Sequence, residues 1–326
     1  MKIENIKPFD GQHCETTATG TLLRQIGIEL SEPMLFGLGE GLGFIFWNMK
    51  SMNFPFIGGR VKPDVLTENI ARNLNIELTV KETSSTQKAW NNVKELIDNG
   101  QAVGLKLDCF HLQYFSQPFH FAGHYTALYG YDNENVFLVD TKQQGGQVKT
   151  SLKSLALARA EKGPMSSKNL YYTLRKTDKR IDLQTAIITA IKNNATEHIN
   201  PPITNIGYKG IYKTSSEIVK WFKTSKDIEN DFKTSAMLME KAGTGGALFR
   251  NLSRDFLKES YELLKLEKIK TGHEAFVEIA DLWSSVSQLF EIVSQTKDFK
   301  YIQQASEILK TISDKEKKTM EILATI

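Results

Sequence analysis

The sequence predicts an α+β domain followed by an all-α domain, on three observations. All 8 prolines lie at or before Pro202, so the chain beyond it holds no residue that forbids helix continuation. Up to about residue 174, short runs rich in β-branched and aromatic residues alternate with 3.6-period segments, whereas beyond Asp182 only the 3.6 period recurs. Between the two lies the charged stretch RKTDKRID at 175–182, which sets the expected domains at 1–178 and 179–326.

In the first domain the helical patterns fall at 16–26, 65–74 and 87–97. Strand patterns fall at 54–57, 76–80, 102–107, 124–129, 136–139 and 170–174, with a turn-like 132–135 joining two of them. The second domain reads as helices at 183–198, 214–223, 227–241, 247–265, 273–295, 299–311 and 314–325. With 40% hydrophobic and 24% charged residues over 326 positions, the composition is that of an ordinary globular protein. Lys and Arg number 41 against 38 Asp and Glu, a net charge of +3, which argues against nucleic acid or an anionic membrane as the main partner. Two cysteines are too few for a disulfide framework, and MKIENIKPFDGQ lacks the apolar run of a signal peptide, so a reducing cytoplasm is expected. The longest nearly apolar stretch, 35–47, is broken by glycines and Glu40 and falls short of the roughly 20 residues that cross a bilayer. Composition leaves the oligomeric state open, a homo-oligomer included.

Chemistry concentrates at three residues. In GQHCETTATGTLLRQIG, Ala18, Leu22, Leu23 and Ile26 fall on one helical face and Gly27 is placed to end the helix, which sets Cys14 at the helix start. Unpaired N–H groups there favour a thiolate over a thiol. In GHYTALYGYDNENVFLVD, two β-rich runs flank a turn and carry His124 at one end and Asp140 at the other. A thiol nucleophile needs a base, and the base needs a third group to fix its tautomer; Cys14, His124 and Asp140 supply all three. The N–H of Cys14 and the side chain of Gln12 are candidate oxyanion donors, with a solvated loop amide the competing reading for Gln12.

The same region holds a rival set. Asp108, Cys109, His111, His120 and His124 offer three or four zinc ligands, although strand alternation after Val103 and the non-helical surroundings of His120 argue against their convergence, and zinc would leave Cys14 unexplained. With those arguments the expectation is that no metal and no permanently bound cofactor is present.

Four motifs carry a family resemblance: HCETT at 13–17, FGLGEGLGF at 36–44, KLD at 106–108 and GHYTALYGYD at 123–132. Through them the first domain resembles the butirosin biosynthesis protein H family, a papain-like cysteine acyltransferase domain. Through GTGGALFRNL at 243–252 and DLW at 281–283 the second resembles the helical domain of unknown function that accompanies it. The resemblance implies that Cys14 takes an acyl group from a thioester, typically on the phosphopantetheine arm of an acyl carrier protein, and passes it to a small-molecule amine, with His124 and Asp140 completing the site. A hydrolase using the same triad, or a binding protein in which the triad is a relic, are the competing readings.

Further substrate contacts are expected at Asp108, at Arg60 beside the glycines at 58–59, and at Arg250. There the amides of Gly245 and Gly246 precede a helix and could hold a phosphate or carboxylate. The competing reading for Arg250 is a salt bridge to the other domain. The run 37–43 lacks the Gly-Lys-Ser ending of a nucleotide loop and reads as a tightly turned segment.

Overall fold

The computed structural model describes residues 1–49, 52, 54–163 and 166–326. In chain order the elements begin with helices α1 (Cys14–Gln25) and α2 (Glu32–Leu38), strands β1 (Leu42–Trp47) and β2 (Phe56–Arg60), α3 (Val65–Asn73), β3 (Ile76–Lys81) and α4 (Thr86–Asp98). There follow β4 (Val103–Leu107), β5 (His124–Tyr131), β6 (Asn135–Val139), β7 (Gln147–Ser151), α5 (Leu152–Ala160) and β8 (Tyr171–Lys176). The rest is helical: α6 (Leu183–Ile199), α7 (Gly207–Thr224), α8 (Ile228–Glu240), α9 (Arg250–Leu264), α10 (Glu267–Thr296) and α11 (Phe299–Leu323).

These form two compact units, Met1–Leu35 with Pro63–Ile181, and Phe36–Lys62 with Asp182–Ile326. The α+β and all-α classes match the sequence reading, but the expected single cut at 178/179 does not describe the chain. The hairpin β1–β2 belongs to the helical unit, because its hydrogen-bond partners lie there. Asn205 accepts from the Phe46 N–H through its carbonyl at 2.9 Å and donates its side-chain amide to the Phe46 carbonyl at 3.1 Å, and Asn194 Nδ2 donates to the Leu42 carbonyl at 2.7 Å. The glycines that hide this hairpin from periodicity are needed for close approach: a Cβ on Gly43 would lie 2.9 Å from the Arg60 carbonyl carbon, and one on Gly59 2.3 Å from the Leu248 carbonyl oxygen.

In the first unit an antiparallel sheet of order β3-β8-β4-β5-β6-β7 is covered by α1, and by α4 and α5. Val93 and Ile97 of α4, Leu155 and Ala158 of α5, and Val103, Leu105 and Leu107 of β4 form one continuous core. The helix α1 ends as the sequence predicts. Gly27, at φ +75°, lets its own N–H reach the Arg24 carbonyl at 3.1 Å and the Ile28 N–H reach the Leu23 carbonyl at 2.9 Å.

The second unit is organised by a buried ion pair. Arg250 Nε donates to Glu316 Oε1 at 2.8 Å and its Nη2 to Oε2 at 3.0 Å, with neither side chain exposed. Trp283 Nε1 donates to Oε1 at 2.9 Å, and His198 Nε2 lies 3.1 Å from Oε2 without the alignment of a hydrogen bond. Arg250 Nη1 closes the set on the Leu248 carbonyl at 2.8 Å. Arg250 is therefore a structural residue rather than a ligand contact, and its partner lies within its own unit. Gly245 and Gly246 are likewise corrected. The Gly246 N–H goes to Thr244 Oγ1 and that of Ala247 to Glu240 Oε2, both at 3.1 Å, so a carboxylate of the protein already takes the position proposed for an anion. The helix starts only at Arg250, after a left-handed run in which Ala247, Leu248 and Phe249 have φ of 49°, 50° and 72°. Residues 299–323 form one helix rather than two, since no breaker separates them.

Burial alone would raise the Glu316 carboxyl, but Arg250 and His198 outweigh it and bring its pKa down to about 2, below the ordinary 4.5. The stability this contributes is present above the ordinary value and lost as pH falls through 4.5 toward 2. Glu316→Ala, which leaves Arg250 buried without its counter-charge, is expected to cost about 3–5 kcal/mol in urea unfolding at neutral pH, a loss that shrinks in acid as the wild type weakens.

Candidate active site

Cys14 is the first residue of α1 and is half-buried. His13, the residue before the helix, makes no side-chain cap; the hydroxyls of Thr16 and Thr17 donate to its carbonyl at 2.9 and 2.7 Å. The Glu32 carboxylate accepts from the N–H of Gln12 at 2.9 Å, from that of His13 at 2.8 Å and from Thr16 Oγ1 at 2.8 Å, so one acidic side chain holds the turn that presents Cys14. Glu32 carried no signal in the sequence beyond its place at the start of a short helix. The predicted apolar face of α1 is buried at Ala18, Leu22 and Leu23, but so are Glu15, Thr16, Thr17, Thr19 and Thr21. The polar side chains are matched from the surrounding elements. Glu15 Oε1 accepts from the Thr67 N–H at 3.1 Å and its hydroxyl at 3.0 Å, and Thr19 Oγ1 lies 2.9 Å from Thr67 Oγ1 and 3.0 Å from the Tyr172 hydroxyl. Tyr172 reaches α1 by lying across Gly104, where any Cβ would meet its ring at 2.2 Å.

His124 opens β5 and Asp140 follows β6. The strands pair Leu128 with Leu138 and Ala127 with Val139, and continuing that register sets Asp140 diagonally across from His124. The result is a buried contact of 2.7 Å between His124 Nε2 and Asp140 Oδ2. Tyr114 Oη donates to the same oxygen at 2.7 Å, and the Thr141 N–H donates to Oδ1 at 2.6 Å. Burial is the largest influence and works against a charged His124, but Asp140 and Cys109 together outweigh it and hold the imidazole well above its ordinary 6.5. Burial, helped by the same carboxylate, pushes the Tyr114 phenol up, so it remains a neutral donor.

A second thiol enters the site. Cys109, two residues past the cross-strand pair of Leu107 with His124, lies near enough to the imidazole for the two groups to shift each other's proton affinity, and Phe115 meets the ring edge-on at 5.4 Å. Burial raises the Cys109 thiol, His124 opposing, and the side chain is 1% exposed. The side chains in contact with His124 are thus Asp140 and Phe115, with Cys109 close by, while Cys14 opens the helix α1 that packs on β5.

The remaining sequence candidates divide. Gln12 is exposed and its backbone, not its side chain, is the part engaged by Glu32. Asp108 is corrected from substrate contact to loop clasp. It is 2% exposed and accepts from the N–H groups of Phe110 at 2.8 Å and Phe121 at 3.2 Å, with His120 Nδ1 at 3.3 Å from its other oxygen. The proposed zinc ligands face separate carboxylates, His111 with Glu161, His120 with Asp108 and His124 with Asp140, and do not converge. Arg60 ends β2 in the second unit, half-buried.

A cysteine at the start of a buried helix, over a sheet whose neighbouring strands bring a histidine and a carboxylate together, makes this an α+β unit with the parts of a cysteine-enzyme site. Residues 13–141 match the model of the N-terminal domain of butirosin biosynthesis protein H, and residues 153–323 match a domain of unknown function, DUF4872. The chain belongs to the DUF4872 family, whose model covers more than half of it, and carries ahead of that domain a match to the butirosin biosynthesis protein H N-terminal domain. No curated protein matches it. Among solved structures it is similar to the peptidase domain of Streptococcus ComA, a bi-functional ABC transporter involved in a quorum-sensing pathway, at 13% identity and a TM-score of 0.34, over 53% of this chain and 97% of that one. Among the described residues no helix is long and apolar enough to cross a membrane.

Two measurements check the site. In nitrogen-resolved NMR the His124 ring is expected to stay protonated to a pH above 6.5, and to lose its proton at lower pH in Asp140→Asn, which removes the stabilising charge. Iodoacetamide is expected to modify Cys14 well before Cys109, whose thiol is both buried and raised; equal rates at the two positions would contradict this.

Proposed function

We propose that this chain is a cysteine-dependent acyltransferase, with Cys14 as nucleophile, His124 as general base and acid, and Asp140 as the group that orients and charges the imidazole. The observation that carries the reading is the buried His124–Asp140 pair, in a unit whose helix α1 begins at Cys14. The Cys14 sulfur attacks the carbonyl carbon of an acyl thioester, the carbon–sulfur bond to the phosphopantetheine arm breaks, and the departing thiolate takes a proton from His124. An amine nitrogen then attacks acyl-Cys14 and gives its proton to His124 as the carbon–nitrogen bond forms, which regenerates the Cys14 thiolate. The Cys14 N–H, at the first position of α1, and the Gln12 amide support the developing oxyanion. The donor is an acyl carrier protein or another acyl thioester, the acceptor a small-molecule amine, and the setting a cytoplasm reducing enough to keep Cys14 and Cys109 as thiols.

Intact mass spectrometry after incubation with acylated carrier proteins tests this. The wild type is expected to gain the acyl mass, Cys14→Ser to gain none, and His124→Ala to acylate slower by roughly a hundredfold or more. Adding amines should release the acyl group as an amide; release only as the free acid would make the same site a hydrolase, and a wild type that never acylates would sink the proposal.

A further inference from the structure

We infer that the loop joining β4 to β5 is an apolar shelf for the acyl group of the donor, selecting thioesters of large hydrophobic acids over small or polar ones. The inference rests on the acyl-transfer reading and deepens it. Phe115 packs edge-on against His124 at 5.4 Å, Phe119 lies 6.2 Å from Phe115, and Phe121 lies 6.5 Å from Phe119, so a row of rings runs from the imidazole outward. Beside it Phe110 stacks on His120 at 4.0 Å. Two of these phenyl rings reach solvent, Phe110 at 42% and Phe119 at 53% exposure.

Fraying does not account for that exposure, because the loop is closed at its base. Asp108 binds the N–H groups of Phe110 and Phe121, the Cys109 N–H donates to the Phe121 carbonyl at 3.3 Å, and Tyr114 anchors the middle on Asp140. A fixed loop whose Phe110 and Phe119 rings meet neighbours within the loop yet stay open to solvent leaves an apolar surface continuous with His124. With the thioester carbonyl at Cys14 and the imidazole beside it, the substituent that must run along the rings is the acyl chain. An alkyl or aryl chain gains by burying them, whereas a charged chain loses hydration there.

Rates of acyl-Cys14 formation from free acetyl-pantetheine and octanoyl-pantetheine, followed by intact mass, test the shelf. The octanoyl donor is expected to react faster by about tenfold or more in the wild type. Phe119→Ser and Phe110→Ser should lower that ratio by about tenfold, as removal of a phenyl contact implies. Val80→Ser, an exposed apolar residue on β3, should leave it unchanged. Equal rates for the two donors, or a preference that survives in Phe119→Ser, would overturn the shelf while leaving acyl transfer intact. A loss seen only with octanoyl carrier protein would assign the rings to protein docking and overturn it equally. Calorimetry with the non-reactive amide analogue of octanoyl-pantetheine on Cys14→Ser reads binding without chemistry. Affinity should fall when Phe119→Ser is added, and an unchanged Kd overturns the inference even where no donor acylates Cys14, the result that by itself sinks the acyl-transfer reading.

Discussion

The first unit depends on matching one fully buried carboxylate, Asp140, with donors from the protein itself. Asp140 has no exposed surface, and its two oxygens are matched inside the protein, the Thr141 N–H on one and the Tyr114 hydroxyl and His124 Nε2 on the other. The last of these commits Nε2 to the carboxylate. Asp140 and Cys109 together favour the protonated ring, which burial alone would make neutral. Strand register supplies the geometry, because a shift of one residue between β5 and β6 would turn one of the pair to the opposite face of the sheet.

The second unit rests on a buried carboxylate too, but the partners give it a different outcome. Glu316 faces a guanidinium whose charge is permanent, in a fully enclosed setting, and the pair serves to join the start of α9 to α11. A run of left-handed residues ahead of Arg250 is held in place by that anchor and by Glu240. Asp140 faces a titratable imidazole with two cysteines nearby, and that difference separates a structural ion pair from a group able to move a proton.

Much of this was legible in the chain itself. Cys14 at a helix start, Gly27 at its end, and the hairpin with His124 and Asp140 at opposite ends all follow from local pattern, since each depends on residues within a few turns or one tight connection. Less visible were groups that act from a distance. Glu32 holds the Gln12–His13 turn from 20 residues away, and Tyr114 reaches Asp140 across 26. In the sequence Cys109 reads as a candidate zinc ligand, although its place just past the strand that pairs with His124 is the signal that sets it beside the imidazole.

By itself the sequence determined helix and strand type, the proline-free helical half and the approximate meeting of His124 with Asp140, because short-range periodicity and turn chemistry encode those directly. Only the tertiary structure decided which carboxylate each charged side chain meets. Arg250 finds Glu316 across 66 residues, Asp108 turns inward to close a loop, and a glycine-rich hairpin joins helices far along the chain. Burial strengthens such pairings while leaving no periodic mark, so a solvent-facing arginine and one locked in a core read alike until the chain is folded.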